Sequence, residues 1–161
     1  MLTSRISFKN FKITKKKSPL VKKKLLALVK EKNEIIKSLT KDYKNNFNKK
    51  TLKKFKNTLE YRVIGMGGSS LGAQAIYDFL NFKIKKKFFF VDNLKKNYSK
   101  KNKNHTNLVI SKSGNTIETI VNANLLIKKK DRNIFITENK KNYLHILAER
   151  LKADIIHHNN Y

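Results

Sequence analysis

The stretch Leu108-Val109-Ile110-Ser111-Lys112-Ser113-Gly114-Asn115-Thr116-Ile117-Glu118-Thr119 is the most informative part of this chain for its fold. It opens with a short apolar run that is typical of a buried strand, and the residues after Thr116 have helical spacing. Between them lies a turn rich in hydroxyls, with one lysine and one glycine. A helix amino terminus presents N–H groups without partners and a partial positive charge, which suits a phosphate. We therefore predict a phosphate-binding turn at Ser111–Thr119, between a buried strand and a helix.

A second interpretation of this turn needs no ligand. Asn115 and Glu118 have the spacing of a capping box, in which Asn115 caps the helix and Glu118 bonds back to it. That arrangement does not explain the polar residues crowded at the end of the strand, Ser111–Gly114. We therefore favour phosphate binding, with the Ser and Thr hydroxyls and the Lys112 ammonium as donors.

The same alternation of strand and helix continues on both sides of the turn. The pattern predicts strands over 61–65, 88–92, 108–111 and 133–137, and a fifth beginning at 153. It predicts helices over 20–39, 49–58, 71–81, 116–129 and 141–151. Earlier still, apolar residues between Ile6 and Ile13 suggest a short strand or a packed arm. Strands that alternate with helices indicate a three-layer α/β fold, with a parallel sheet of about five strands and helices on both faces.

The apolar residues of each helix are expected to face this sheet. For 71–81 the inward set is Leu71, Ala75, Ile76, Phe79 and Leu80; for 116–129 it is Ile117, Ile120, Val121, Leu125 and Leu126; for 141–151 it is Leu144, Ile146, Leu147 and Leu151. The continuous apolar run Phe88–Val91 predicts a strand that is buried on both faces.

A glycine-rich turn follows the first predicted strand: Gly65-Met66-Gly67-Gly68-Ser69-Ser70-Leu71-Gly72. A dinucleotide fingerprint is one interpretation, but its third glycine is displaced to Gly72 and the acidic residue Asp92 lies too far along the chain. Close approach of the backbone to a sugar or phosphate, with Ser69 donating, fits better. Ligands of parallel α/β sheets bind beyond the carboxyl ends of strands, and both turns fall there.

Composition limits the other functional classes. The chain has 161 residues, 39% of them hydrophobic, and no cysteine, which excludes disulfides and thiolate zinc sites. No apolar run approaches the roughly 18 residues of a membrane span. The net charge of +27 suggests nucleic acid or an anionic surface. However, Lys and Asn dominate over Arg and are spread over the whole chain, which favours a compositional bias instead.

The amino terminus and the histidines give weaker signals. The first thirty residues are basic and lack acidic residues, but they are richer in Lys than the Arg/Ser-rich composition of a transit peptide. We therefore expect a cytoplasmic protein. None of the four histidines has the spacing of a metal site or a catalytic triad.

At the segments Val63–Gly72 and Ser111–Thr119 the sequence resembles the glucose-6-phosphate isomerase family of the sugar-isomerase (SIS) superfamily. The resemblance implies a flavodoxin-like, SIS-type sheet domain over 60–161, after a basic arm and helices over 1–59. It implies isomerisation of glucose 6-phosphate to fructose 6-phosphate without a cofactor, by a homodimer that binds neither nucleic acid nor membrane. Carried over by position, the phosphate ligands are Ser111, Lys112, Ser113 and Thr116, and the residues lining the sugar are Gly67, Gly68 and Ser69.

The sequence departs from the family in two respects. The family often has Thr-Phe-Thr-Thr where this chain has Ser113-Gly114-Asn115-Thr116, although the first and last hydroxyls are kept. This leaves open a non-catalytic sugar-phosphate-binding SIS domain, or an isomerase of another sugar phosphate. In addition, His158–Tyr161 resembles the segment before the family's Gly-Gly-Arg, so its catalytic Glu, Arg, His and Lys have no counterpart here. We therefore assign no catalytic residue and expect this chain alone to be inactive.

Overall fold

A computed structural model describes residues 18–31, 33–38, 40–41, 43–44, 46–94 and 105–158 of the chain. The chain divides into two compact units, one up to Tyr43 and one from Lys44 onward. The predicted strand or arm at Ile6–Ile13 and the segment 159–161 lie outside the described residues. The predicted domain boundary at residue 59 stays a prediction.

The described residues of the first unit form two helices, α1 (Pro19–Val29) and α2 (Glu34–Ser38). The single helix predicted over 20–39 is therefore wrong. Asn33 explains the interruption, because its side-chain Oδ1 accepts a hydrogen bond from the backbone N–H of Ile36 at 2.8 Å. Asparagine favours this capping position, since its oxygen satisfies an N–H group that has no partner within the helix. A new helix therefore starts where the apolar spacing alone suggests continuity.

The second unit is built around a five-stranded parallel sheet. Its elements in chain order are α3 (Lys49–Lys54), β1 (Glu60–Gly65), α4 (Gly68–Leu80), β2 (Lys87–Val91), β3 (Thr106–Ile110), α5 (Ile117–Leu126), β4 (Asn133–Glu138), α6 (Tyr143–Arg150) and β5 (Asp154–His158). The strand order across the sheet is β2-β1-β3-β4-β5. The predicted α/β fold with five parallel strands is confirmed, and each strand's bounds agree with the prediction to within two residues.

Helices cover both faces of this sheet. On one face, three strands and the helices α5 and α6 form the buried core, which consists of Ile64, Val109, Phe135, Ala123, Leu144 and Ala148. On the other face, the ring of Tyr77 in α4 packs against Phe88 and Phe90, with centroids 5.2 and 6.1 Å apart. Phe90 pairs in register with Val63, the residue before Ile64. Because successive side chains of a strand point to opposite faces, α4 lies opposite α5 and α6.

The strand β2 lies at the edge of the sheet, next to β1 alone. Its burial alternates, and Phe89 is 44% exposed. The prediction that Phe88–Val91 is buried on both faces is therefore wrong. A continuous apolar run indicates a hydrophobic strand but not its place in the sheet. An edge strand has a neighbouring strand on one side only, so part of its surface stays exposed.

The inward face predicted for α4 is wrong for four of its five residues, and Leu80 alone of that set has reduced exposure. Leu71, Ile76 and Phe79 are 57%, 62% and 49% exposed, and Ala75 is exposed as well. The helix begins at Gly68, three residues before the predicted start, and a different stripe is turned inward. The residues of that stripe with reduced exposure are Ser70, Gln74, Tyr77 and Leu80.

The helices on the other face agree better with prediction. In α5, Ile120, Val121 and Leu126 are partly buried as expected, whereas Ile117 and Leu125 are 71% and 66% exposed. In α6 the prediction holds: Leu144 is fully buried, Leu147 and Leu151 pack against the core, and Ile146 is partly buried. None of the described helices is both long enough and apolar enough to span a membrane.

Candidate functional site

The two turns singled out in the sequence lie side by side at the carboxyl edge of the sheet. Gly65 at the end of β1 pairs in register with Ile110 at the end of β3. From β1 the chain runs to β2 on one side, and from β3 it runs to β4 on the other. The junction of β1 and β3 is therefore the topological switch point, where open α/β sheets bind their ligands.

The backbones approach closely at this junction. A Cβ atom on Gly65 would lie 3.0 Å from the carbonyl oxygen of Ile110, tighter than ordinary van der Waals contact. The glycine thus permits β1 and β3 to stay paired to their very ends, so the glycine-rich turn and the hydroxyl-rich turn start from adjacent points.

The hydroxyl-rich turn after β3 folds around the side chain of Ser111. This residue is 2% exposed, and its Oγ lies 3.0 Å from Oγ1 of Thr116. The same Oγ accepts a hydrogen bond from the backbone N–H of Gly114 at 3.2 Å. Lys112 and Ser113 are exposed, and Ser113 Oγ accepts from the Asn115 N–H at 3.3 Å. The buried hydroxyl of Ser111 and the partly buried hydroxyl of Thr116 therefore shape the turn, while the Lys112 ammonium and the Ser113 hydroxyl face the solvent.

The capping-box interpretation of this turn is wrong. The N-cap of α5 is Thr116, and no side chain of the described residues bonds to the N–H groups of the first turn. Asn115 instead accepts a hydrogen bond from the backbone N–H of Tyr143, at 3.1 Å. The amino terminus of α5 is thus left with donors for an anionic ligand. Thr119 adds a buried hydroxyl that has no hydrogen-bond partner within the described part of the chain.

Neighbouring elements hold the hydroxyl-rich turn in place. The carbonyl of Lys112 accepts hydrogen bonds from the Glu138 N–H at 3.0 Å and from Thr137 Oγ1 at 3.3 Å. The carbonyl of Gly114 accepts one from the N–H of Leu144 in α6, at 3.1 Å. Sequence analysis missed this support, because contacts between β4, α6 and the turn leave no local signature in the sequence.

The glycine-rich turn after β1 is shorter than predicted. Gly67 has a φ of +54° and is the N-cap of α4, so Ser69 and Ser70 already belong to the helix. Ser70 is buried and donates to the carbonyl of Gly67 at 3.3 Å, whereas Ser69 is only partly buried. A Cβ on Gly68 would meet no atom within 4 Å. Open space therefore lies over Gly68, at the same sheet edge as Ser111.

Several further titratable side chains have contacts within the described residues. At the amino edge of the sheet, His105 Nδ1 is 3.5 Å from Glu60 Oε2. Arg62 donates to the carbonyl oxygen of Leu126 at 3.1 Å, and burial lowers the pKa of its guanidinium from the ordinary value while Asp131 opposes the shift. The rings of His145 and His157 stack 5.8 Å apart.

Comparison with curated proteins yields a consistent set of relatives. No family model matches the chain. It is similar to glucose-6-phosphate isomerases. The chain is 39% identical over 93 residues to that of Borrelia garinii, which covers 50% of this chain and 17% of the relative. It is 38% identical over 127 residues to that of Methanocaldococcus jannaschii (70% and 30%), and 38% identical over 104 residues to that of Acholeplasma laidlawii (53% and 25%). The chain thus spans less than a third of each relative.

Solved structures agree on the fold. A hypothetical protein of Thermus thermophilus superimposes with a TM-score of 0.58 at 21% identity, covering 66% of this chain and 29% of that one. The NanR protein of Vibrio vulnificus, solved in complex with ManNAc-6P, superimposes with a TM-score of 0.50 at 16% identity, over 69% and 41%. At these sequence identities the likeness shows that the α/β fold is shared, and no more than that.

Proposed function

We propose that this chain carries the phosphate-binding half of a glucose-6-phosphate isomerase site, acting in glycolysis and gluconeogenesis in the cytoplasm. One observation carries the proposal. At the switch point of the sheet, a hydroxyl-lined turn leads into α5, whose amino terminus has no side-chain cap. The similarity to curated glucose-6-phosphate isomerases supports the choice of a hexose phosphate over other phosphorylated ligands.

In this proposal the substrate phosphate binds over the amino terminus of α5. Thr116 and Ser113 donate their hydroxyls, Lys112 supplies a charge-assisted bond, and Ser111 both contacts the phosphate and holds the turn closed. The helix N–H groups complete the set of donors. The sugar extends toward the residues beside the opening over α4, which are Gly67, Gly68 and Ser69.

The chemical step lies with residues that have no match in this chain. Isomerisation moves a proton between C2 and C1 of the open-chain sugar through an enediol, and it requires a carboxylate base. No position here matches that base or the Arg, His and Lys of the resembling family. The chain alone therefore binds the sugar phosphate without turning it over, and the complete enzyme works as a homodimer without a cofactor.

Replacement of Lys112 tests phosphate binding. Lys112→Ala removes one charge-assisted hydrogen bond from an exposed side chain, so the fold stays intact and affinity for fructose 6-phosphate falls about ten- to a hundredfold. Isothermal titration calorimetry measures the change. Lys130→Ala is the matched control, because this exposed lysine lies by the groove at the amino edge of the sheet. Equal affinities of the wild type and Lys112→Ala would refute the assignment.

A coupled assay of the purified chain tests the absence of turnover. Fructose 6-phosphate formed from glucose 6-phosphate above the uncatalysed rate, and abolished in Lys112→Ala, would contradict the claim that the chemical residues lie elsewhere.

A second candidate is a non-catalytic sugar-phosphate sensor or an isomerase of another sugar phosphate. The structural neighbour NanR, solved with ManNAc-6P, motivates this candidate. Parallel titrations with fructose 6-phosphate and ManNAc-6P separate the two. Tighter binding of fructose 6-phosphate favours the isomerase, and tighter binding of ManNAc-6P favours the second candidate.

A further inference from the structure

Asn142 links α6 to the end of β4 through two hydrogen bonds. It is the N-cap of α6 and is 6% exposed. Its Oδ1 accepts from the backbone N–H of His145 at 2.9 Å, and its Nδ2 donates to Thr137 Oγ1 at 3.0 Å. Both polar atoms of the buried amide are thus satisfied, which fixes its orientation.

The same amide lies directly against Gly114 in the hydroxyl-rich turn. A Cβ atom on Gly114 would overlap the Oδ1, Cγ and Nδ2 atoms of Asn142. Gly114 has a φ of +67°, in the left-handed region that side chains other than glycine seldom adopt. Glycine is therefore needed here for two independent reasons, its backbone conformation and the room that Asn142 occupies.

Asn142 also reaches the other end of the turn through Thr137. The hydroxyl that accepts from Asn142 donates in turn to the carbonyl of Lys112 at 3.3 Å. Asn142 therefore fixes two points of the turn: Gly114 by direct contact, and Lys112 through Thr137. Between them stands Ser113, and the Gly114 N–H is bonded to the buried Ser111 hydroxyl.

We propose that Asn142 is a positioning residue for phosphate binding: without touching the ligand, it holds Gly114 and Lys112 so that the donors of the turn converge. This inference rests on the proposed function of the turn. Asn48 provides the comparison, since its Oδ1 also caps a helix, accepting from the Lys50 N–H at 2.8 Å. Asn48 is exposed, on a helix that precedes β1 rather than beside the hydroxyl-rich turn.

Matched glycine substitutions separate positioning from capping. Glycine is a tolerated N-cap, so Asn142→Gly and Asn48→Gly alter helix capping to a similar small extent. We expect Asn142→Gly to weaken fructose 6-phosphate binding about five- to tenfold, the effect of one misplaced hydrogen bond. Asn48→Gly is expected to bind as the wild type does. Urea titration first identifies a temperature at which each variant is folded. Calorimetry at that temperature then measures both affinities.

A double-mutant cycle with Gly114→Ala tests the contact itself. Gly114→Ala alone should weaken binding, because its methyl group collides with the Asn142 amide. Adding Asn142→Gly removes the obstacle, so the double variant should bind no more weakly than Gly114→Ala. Additive losses in the double variant would overturn the proposal.

The wild type and Lys112→Ala distinguish the two possible failures. If both behave as proposed while Asn142→Gly binds like the wild type, positioning by Asn142 is refuted and the phosphate site stands. If the wild type does not bind fructose 6-phosphate, the proposed function fails and the role of Asn142 fails with it.

Discussion

The absence of a side chain at Gly65 allows β1 and β3 to lie close together at the candidate site. A methyl group on Gly65 would face the Ile110 carbonyl, a backbone atom that cannot move away without breaking the pairing of the strands. Three residues further on, Gly68 has open space where a side chain would be. The two glycines therefore have different surroundings, close packing at the first and open space at the second.

This difference predicts opposite effects on stability. Gly65→Ala should lower the free energy of unfolding by about 1–3 kcal/mol, as overpacking of a tight site does. Gly68→Ala should leave it unchanged or raise it by up to about 1 kcal/mol, because alanine favours the helix more than glycine. Urea denaturation followed by circular dichroism measures both. Equal effects of the two substitutions would mean that the close approach at Gly65 does not constrain the strands.

Residue-level prediction from the sequence succeeded where the signal was local. The hydroxyl-rich turn lies between a strand and a helix as expected, although α5 begins at Ile117 and takes in the last three residues of Ser111–Thr119. Hydroxyls and a glycine after a buried strand are a local signal for such a turn. The proximity of Asn142 to Gly114 was not predictable, since the two residues lie 28 positions apart in the chain. The partner of Asn115 could not be predicted for the same reason. A capping box is a local pattern, whereas the N–H of Tyr143 that donates to Asn115 belongs to another helix.

At the scale of the elements, α6 and α4 differ in what their apolar residues do. Leu144 of α6 is fully buried in the core beside the turn, whereas Leu71 of α4 is 57% exposed. The apolar spacing of both helices is similar in the sequence. Only the sheet decides which stripe is covered, because α4 packs over the edge strand β2 and its neighbour β1.

Leucine truncation in the two helices tests this assignment. Leu144→Ala should cost about 2–5 kcal/mol of unfolding free energy through lost burial and a cavity. Leu71→Ala should change it by about 0.5 kcal/mol or less, as is usual for surface substitutions. Chemical denaturation gives both values, and a loss at Leu71 as large as that at Leu144 would mean that α4 is oriented as its apolar spacing suggested.

The existence of the strands could be predicted from the sequence, but their lateral order could not. Each strand is a separate apolar run with turn residues on either side, so five runs gave five strands. The order β2-β1-β3-β4-β5 arises from pairing between segments distant in the chain, such as Gly65 with Ile110. For this reason the edge position of β2 was missed although its bounds were nearly correct.

At the scale of the whole molecule, the charge of +27 is the feature that competes with a sugar-phosphate function. Lysines occur in every part of the chain, but the candidate phosphate turn Ser111–Thr119 contains a single lysine, Lys112. A diffuse positive charge attracts any polyanion, but the attraction weakens steeply with salt because it depends on counterion release.

We therefore expect only non-specific affinity for DNA. Fluorescence anisotropy with duplexes of unrelated sequence should give similar dissociation constants, about 10⁻⁴–10⁻⁶ M at physiological salt, with a steep dependence on salt concentration. A duplex that binds far more tightly than the others at physiological salt would favour a nucleic-acid function instead.

The central claim is that the turn between β3 and α5 binds the phosphate of a hexose phosphate. The most direct test is a titration of the isotopically labelled chain with fructose 6-phosphate, followed by amide chemical shifts. The account predicts the largest saturable shifts at Gly114–Thr119, with smaller ones at Gly67–Ser69, and a midpoint at about ten- to a hundredfold higher fructose 6-phosphate concentration in Lys112→Ala. Shifts confined to the amino edge of the sheet, around Thr58 and Arg132, or no saturable shifts at all, would contradict it.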